Sequence, residues 1–147
     1  MKILIPVDGS KHSMEALKAA ADHAKSKAAD VYILTVIPYI SDIDLELSAA
    51  ERNKILESMK SRGEDLLTKA KDQMKSYGVA KVNTVLATAP SPAQEIVSFV
   101  EKEKIDLVVI GSRGRGANAR FHLGSVAANV VRHSSCCVYV VKEPCWS

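Results

Sequence analysis

Five short apolar runs recur along this chain, at residues 2–8, 31–37, 81–87, 107–110 and 138–141. Between them lie segments whose apolar residues return every three or four positions, the period of a helix with one buried stripe. Most of the runs are apolar on both faces, which predicts strands covered from both sides. Strands and helices alternating in this way specify an α/β fold, a parallel sheet with helices packed against each face.

Local signals place the helices between the strands. The first is predicted over residues 10–27, with Met14, Leu17, Ala21 and Ala24 inward and Ser10 or Ser13 as its cap. Pro38 ends the second strand because it cannot donate to a ladder, and a polar, acidic connector runs to residue 50. Ser48-x-x-Glu51 is a capping-box pattern that opens a long helix. The predicted buried stripe of that helix is Ile55, Met59, Leu66, Leu67, Ala70, Met74 and Tyr77, with Gly78 as the residue past its end. Its methionines read as core filler and its charges as a solvated face. Ser91-Pro92-Ala93-Gln94 supplies a cap, a first-turn proline and a glutamine for a third helix reaching Lys104, with Ile96, Val97 and Val100 inward. The last helix is predicted over residues 124–133.

Composition narrows the function classes. A chain of 147 residues suits one domain around one core, so residues 1–147 are expected to form a single unit. A net charge of +3 with 5% aromatic residues lacks the basic stripe and stacking rings of a nucleic-acid binder. No apolar run approaches a membrane span, and the N-terminus lacks the features of a secretory signal, so a cytosolic setting is expected. Three cysteines, Cys136, Cys137 and Cys145, with no C-x-x-C, fit neither a disulfide framework nor a zinc site. The first two read as packing next to an apolar strand, and Cys145 has no assigned role. Histidines 12, 23, 122 and 133 show no ligand spacing; His122 and the others read as surface residues, with His133 suited to a helix C-terminus.

The stretch that carries chemistry is LVVIGSRGRGANARFHLGSV, residues 107–126. An apolar strand ends in Gly111, a glycine- and arginine-rich segment follows, and Gly124-Ser125 opens a helix. Unpartnered amides at a loop and at a helix start face anions. Glycine permits close approach of the main chain, and Arg113, Arg115 and Arg120 add forks matched to phosphate oxygens. Gly111-x2-Gly114-x9-Gly124-Ser125 would arise in about one shuffled chain in 500, against a plain flexible loop as the alternative. It is not a Walker loop, since Gly-Lys-Ser/Thr is missing, and its spacing is not that of the dinucleotide fingerprint. No nucleophile elbow is present, and no catalytic residue is assigned.

That glycine spacing, with Ile3-Leu4-Ile5-Pro6-Val7-Asp8-Gly9-Ser10, resembles the universal stress protein family and its ATP-binding branch. Val36-Ile37-Pro38, Pro92, Glu95-Ile96 and the run from Val138 to Val141 extend the likeness along the chain. The resemblance implies an adenine nucleotide alpha hydrolase-like sheet of order 3-2-1-4-5. Ligands of such sheets lie at the carboxyl ends of the strands where the connections diverge, here between the first and fourth. Asp8 and Gly111 would then face each other across that crevice.

By resemblance, the cofactor-binding residues are Pro6, Val7, Asp8, Val36, Gly111, Ser112, Arg113, Gly114, Arg115, Gly124, Ser125 and Val126. Val36 would offer its peptide groups to an adenine edge. Asp8 would meet a ribose hydroxyl or hold Mg²⁺ through water, its plainer use being to stabilise a turn. Ser125 would give its hydroxyl and amide to a phosphate, or serve only as a cap. The implied ligand is ATP, or AMP or ADP, with Mg²⁺ possible. The implied assembly is a homodimer through Val138, Tyr139, Val140 and Val141, and the implied role is a cytosolic stress-response sensor or regulator with unknown signalling partners. A slow ATPase or phosphotransferase at the same site, or a nucleotide-free interaction module, are the rival readings. Pro90 stands where the family often has glycine, a departure expected on the ribose side of the crevice.

Overall fold

The computed structural model describes residues 1–39, 47–113 and 123–142. Five strands, β1 (Lys2–Pro6), β2 (Asp30–Ile37), β3 (Val82–Thr88), β4 (Leu107–Gly111) and β5 (Cys137–Val141), alternate with four helices. The helices are α1 (Lys11–Lys27), α2 (Ala49–Ser76), α3 (Pro92–Glu103) and α4 (Ser125–His133). All pairings are parallel and the strand order is β3-β2-β1-β4-β5, as the resemblance implied.

The sheet is covered on both faces, and strand alternation divides the core in two. Ile3, Ile5, Val31, Ile33, Leu107 and Val109 turn to the face packed by Ala16, Leu17 and Ala20 of α1 and by Leu67, Ala70 and Met74 of α2. Leu4, Leu34, Val108 and Ile110 turn to the other face, beneath Ile96 and Val100 of α3 and Ala127 and Val130 of α4. Each fully buried aliphatic side chain contributes about 1.5–3 kcal/mol, so these two layers account for the unbroken apolar character of β1 and β4.

The helix ends follow the local chemistry. Ser10, not Ser13, caps α1 by accepting the Ser13 N–H, and Ser48 caps α2 by accepting the Glu51 N–H at 3.1 Å. Glu51 turns its carboxylate to the Ser48 hydroxyl, so only half of the expected capping box forms. At the far end of α2, Gly78 at φ +93° donates to Lys75 O while Val79 N–H reaches Met74 O. These two bonds form a left-handed glycine terminus. The third helix keeps its predicted start, with Ser91 accepting the Gln94 N–H.

Four expectations need correction. The α2 stripe is buried only at Gly63, Leu67, Ala70 and Met74, whereas Ile55 is 39% exposed. At 1.5 Å per residue the 28-residue helix is about 42 Å long, and a seven-residue strand only about 23 Å, so the first turns of α2 have no sheet beneath them. Val97 is half-buried, and Phe99, edge-on to Tyr32 at 5.8 Å, packs in its stead. β1 ends at Pro6 rather than residue 8. Cys137 is the exposed first residue of β5, so packing describes Cys136 alone.

Candidate functional site

The switch point of the sheet lies between β1 and β4. α1 leaves β1 toward one face and α4 leaves β4 toward the other. The β1–β4 register covers only Ile3 with Leu107 and Leu4 with Val108, against five pairs between β1 and β2. Past that short register a cleft of ≈ 470 Å³ opens, within the range of small-molecule sites. Its floor is apolar, made by Leu34, Val36, Pro92, Ile96 and Ile110.

One end of the cleft is the β1–α1 turn, which carries Asp8 and Ser13. Asp8 Oδ1 accepts the Ser10 N–H at 2.8 Å, and Gly9 between them sits at φ +84°, a conformation that a side chain would strain. Asp8 N–H donates to Ser13 Oγ at 3.3 Å, and that hydroxyl donates to Ser10 O at 2.9 Å. Three bonds thus close a ring from Asp8 through Ser13 and Ser10 back to the Asp8 carboxylate. Asp8 is exposed, and its second carboxylate oxygen has no partner among the described residues. The turn-stabilising role of Asp8 is therefore met by one oxygen, leaving the other as an acceptor at the cleft.

The opposite end is the start of α4. Gly124 occupies the cap position and Ser125 the first helical position, so Ser125 is not the cap. Among the described residues no side chain caps this helix, and the amides of Ser125, Val126 and Ala127, all at the cleft wall, precede the first intrahelical bond, Ala128 N–H to Gly124 O. The helix dipole adds positive potential there. Arg113 and Gly111 complete this end. Gly111 is buried against α1: a Cβ on it would lie 2.7 Å from the His12 carbonyl carbon and oxygen. Its lack of a side chain thus lets β4 and the first turn of α1 meet.

The middle of the cleft is edged by β2. Ile37 O accepts the Ala89 N–H on the β3 side, so the peptide groups of Val36, one residue earlier, turn the other way, above the end of β1. Val7 N–H is bonded to Leu34 O and its carbonyl accepts from the buried Thr35 hydroxyl, so Val7 walls the cleft with its main chain already engaged.

Nine of the residues singled out from the sequence, Pro6, Val7, Asp8, Val36, Gly111, Arg113, Gly124, Ser125 and Val126, meet at this one cleft. Ser112 does not line it. It is buried, with its N–H on Val141 O and its carbonyl receiving the Gly124 N–H at 2.7 Å. The amides of Ser112 and Gly124 are thus engaged within the fold. Gly114, Arg115, Arg120, His122 and Cys145 lie outside the described residues. Pro90 is exposed and does not line the cleft, whereas Pro92 does. Ser13, Leu34, Ile96, Ile110 and Ala127 were not anticipated; the four apolar ones look like ordinary core residues in the sequence. Among the described residues no group of three or more His, Cys, Asp or Glu side chains is placed to hold a metal ion, and no helix is long and apolar enough to cross a membrane.

Comparison with known proteins gives the same architecture a family. Residues 1–142 match the Universal stress protein family. Universal stress protein MJ0531 of Methanocaldococcus jannaschii is 40% identical over 143 residues, spanning 97% of this chain and 82% of the relative. Among solved structures, universal stress protein UspA from Lactobacillus plantarum superposes with a TM-score of 0.84 at 24% identity, covering 96% of this chain and 97% of that one. A universal stress protein in complex with cAMP superposes with a TM-score of 0.74 at 25% identity, covering 97% and 96%.

Proposed function

The chain belongs to the universal stress protein family, and on that premise we propose that it binds an adenine nucleotide, ATP or its relatives ADP and AMP, in the cleft between β1 and β4. The observation that carries this reading is the opposed chemistry of the two cleft ends. At the β1–α1 turn the Asp8 carboxylate offers hydrogen-bond acceptors, which suits hydroxyl donors rather than phosphate. At the start of α4, three amides that precede the first intrahelical bond and the Arg113 guanidinium suit phosphate oxygens. The apolar floor between them suits a base, and the Val36 peptide offers one donor and one acceptor at its edge. A ribonucleotide carries all three on one sugar, the base at C1′, the hydroxyls at C2′ and C3′ and the phosphates at C5′, so the ribose would sit at the centre with the three groups turned to the floor and the two ends. The cAMP complex of a family member supports the ligand class.

The residues proposed to hold the nucleotide are Asp8 for the ribose, Val36 for the base, and Arg113, Ser125 and Val126, with Gly114 and Arg115, for the phosphates, Gly111 and Gly124 leaving room at the cleft wall for want of a side chain. If Mg²⁺ accompanies the phosphates, Asp8 would meet it through water instead of the ribose hydroxyl, the alternative use of the same carboxylate. The proposed role is that of a cytosolic sensor or regulator of the stress response rather than a catalyst. A homodimer through Val138, Tyr139, Val140 and Val141 is part of the proposal: β5 is an edge strand whose middle residues are apolar and only half-buried.

The test is to denature purified protein, identify any released nucleotide by chromatography, and titrate the emptied protein with ATP, ADP and AMP with and without Mg²⁺. Released ATP or AMP supports binding, and ADP with free phosphate supports hydrolysis. Absence of binding to any adenine nucleotide would overturn the proposal. At a hundred times Kd, bound nucleotide adds about 2.7 kcal/mol, which for this chain length raises Tm by about 8 °C.

A further inference from the structure

Ser13 is one of three buried polar residues described in the fold, 5% exposed, and it lies on the wall of the cleft. Its hydroxyl is not spare. It accepts from Asp8 N–H and donates to Ser10 O, and the Ser10 amide in turn holds Asp8 Oδ1. We propose that Ser13 is a positioning residue that makes the cleft selective for a ligand bearing a sugar hydroxyl, by fixing which way the second carboxylate oxygen of Asp8 points. The inference rests on the adenine-nucleotide reading of the cleft and assigns the origin of its sugar selectivity.

The ring acts on the carboxylate by limiting its torsions. A carboxylate at the end of a strand has two torsions, and an exposed Asp samples several combinations of them. Here the main chain at Asp8 is tied by its N–H, and one oxygen is tied to the Ser10 amide. The first tie ends on the buried Ser13 hydroxyl, which also holds the Ser10 carbonyl, and the second ends on the N–H of that same Ser10. Removing Ser13 Oγ frees the Asp8 N–H, while the Ser10 carbonyl keeps its bond from the Met14 N–H, so Asp8 is left held by one oxygen alone and regains freedom that a ligand hydroxyl must then remove on binding. The cost falls on ligands that hydrogen-bond Asp8 and spares those that do not. Ser10 provides the control, because its side chain caps α1 through Ser13 N–H while only its main chain belongs to the ring.

The experiment compares ATP with 2′,3′-dideoxyATP, by calorimetric or fluorescence titration, on wild type, Ser13→Ala and Ser10→Ala. Wild type should bind ATP roughly tenfold more tightly than the dideoxy analogue, the scale of one charged hydrogen bond. In Ser13→Ala that ratio should shrink to about twofold, with the loss confined to ATP. Ser10→Ala, which costs helix stability of about 1 kcal/mol, should keep the wild-type ratio. A Ser13→Ala protein that keeps the tenfold ratio, or that loses both ligands equally, overturns the inference while nucleotide binding stands. Wild type that binds ATP and the analogue alike overturns it as well. Wild type that binds neither overturns the parent reading and this inference with it.

Discussion

Two glycines in this fold meet the same steric test and should give opposite answers. A Cβ built on Gly111 would lie 2.7 Å from the carbonyl carbon and oxygen of His12 and 2.9 Å from its Cβ. A Cβ built on Gly63 would lie 2.7 Å from Leu86 Cδ1, with Ile37 and Thr35 methyls at an ordinary 3.7 Å. The first obstacle is main chain in the opening turn of α1, which cannot move without shifting the Asp8 turn. The second is the tip of a half-buried leucine that can rotate. Gly111→Ala therefore carries the usual overpacking cost of about 2–3 kcal/mol. Gly63→Ala sets a smaller crowding cost against the gain of about 0.8–1 kcal/mol from replacing a mid-helix glycine, leaving it within about 1 kcal/mol of wild type. With about 2.1 cal/mol/K of unfolding entropy per residue, 1 kcal/mol corresponds to roughly 3 °C for a chain of 147 residues. Thermal unfolding followed by far-ultraviolet circular dichroism should show Gly111→Ala melting about 6–10 °C below wild type and Gly63→Ala within about 3 °C. A Gly111→Ala protein melting within 2 °C of wild type, or a Gly63→Ala protein falling as far as Gly111→Ala, would refute the distinction between rigid and yielding neighbours.

Along α2, Met74→Ala should cost about 2–4 kcal/mol because Met74 is wholly buried, while Ile55→Ser should change urea-unfolding stability by less than about 0.5 kcal/mol. Equal losses would mean that the first turns of α2 are packed after all. Lys104 closes α3 at φ +54°, so Lys104→Gly should relieve left-handed strain and gain about 0.5–1 kcal/mol, read as a higher urea midpoint. Burial, and then the neighbouring Cys137, raise the Cys136 thiol above its usual value of 9.0. The folded state thus holds that proton more tightly than the unfolded one, a contribution fully present below the ordinary thiol value and lost as pH climbs through the raised one. Peptide mapping after brief iodoacetamide treatment near pH 8 should find exposed Cys137 alkylated ahead of Cys136; the reverse order would contradict this.

The layered sheet was legible because β1, β2 and β4 are apolar at nearly every position, a pattern that only two-sided cover explains. The cleft was legible at its ends, since Asp8 after one strand and Gly124-Ser125 before a helix are local signals. Ser13 was not: from the sequence it is an alternative cap for α1, and only the ring through Ser10 shows that it serves Asp8. Ile55 was misplaced because helical period tells which face turns inward but not how far the sheet extends beneath it. Gly111 was anticipated as a ligand loop, yet contact with His12 already requires it. Distance between elements is not written in either element alone.

The peptide unit of Ser112 is gripped from two directions, by Val141 at the end of the outermost strand and by Gly124 at the threshold of α4. Those two places therefore share a single articulation. Between the first residue before α4 and the last residue of β5 there are thus two short bonds and no intervening side chain.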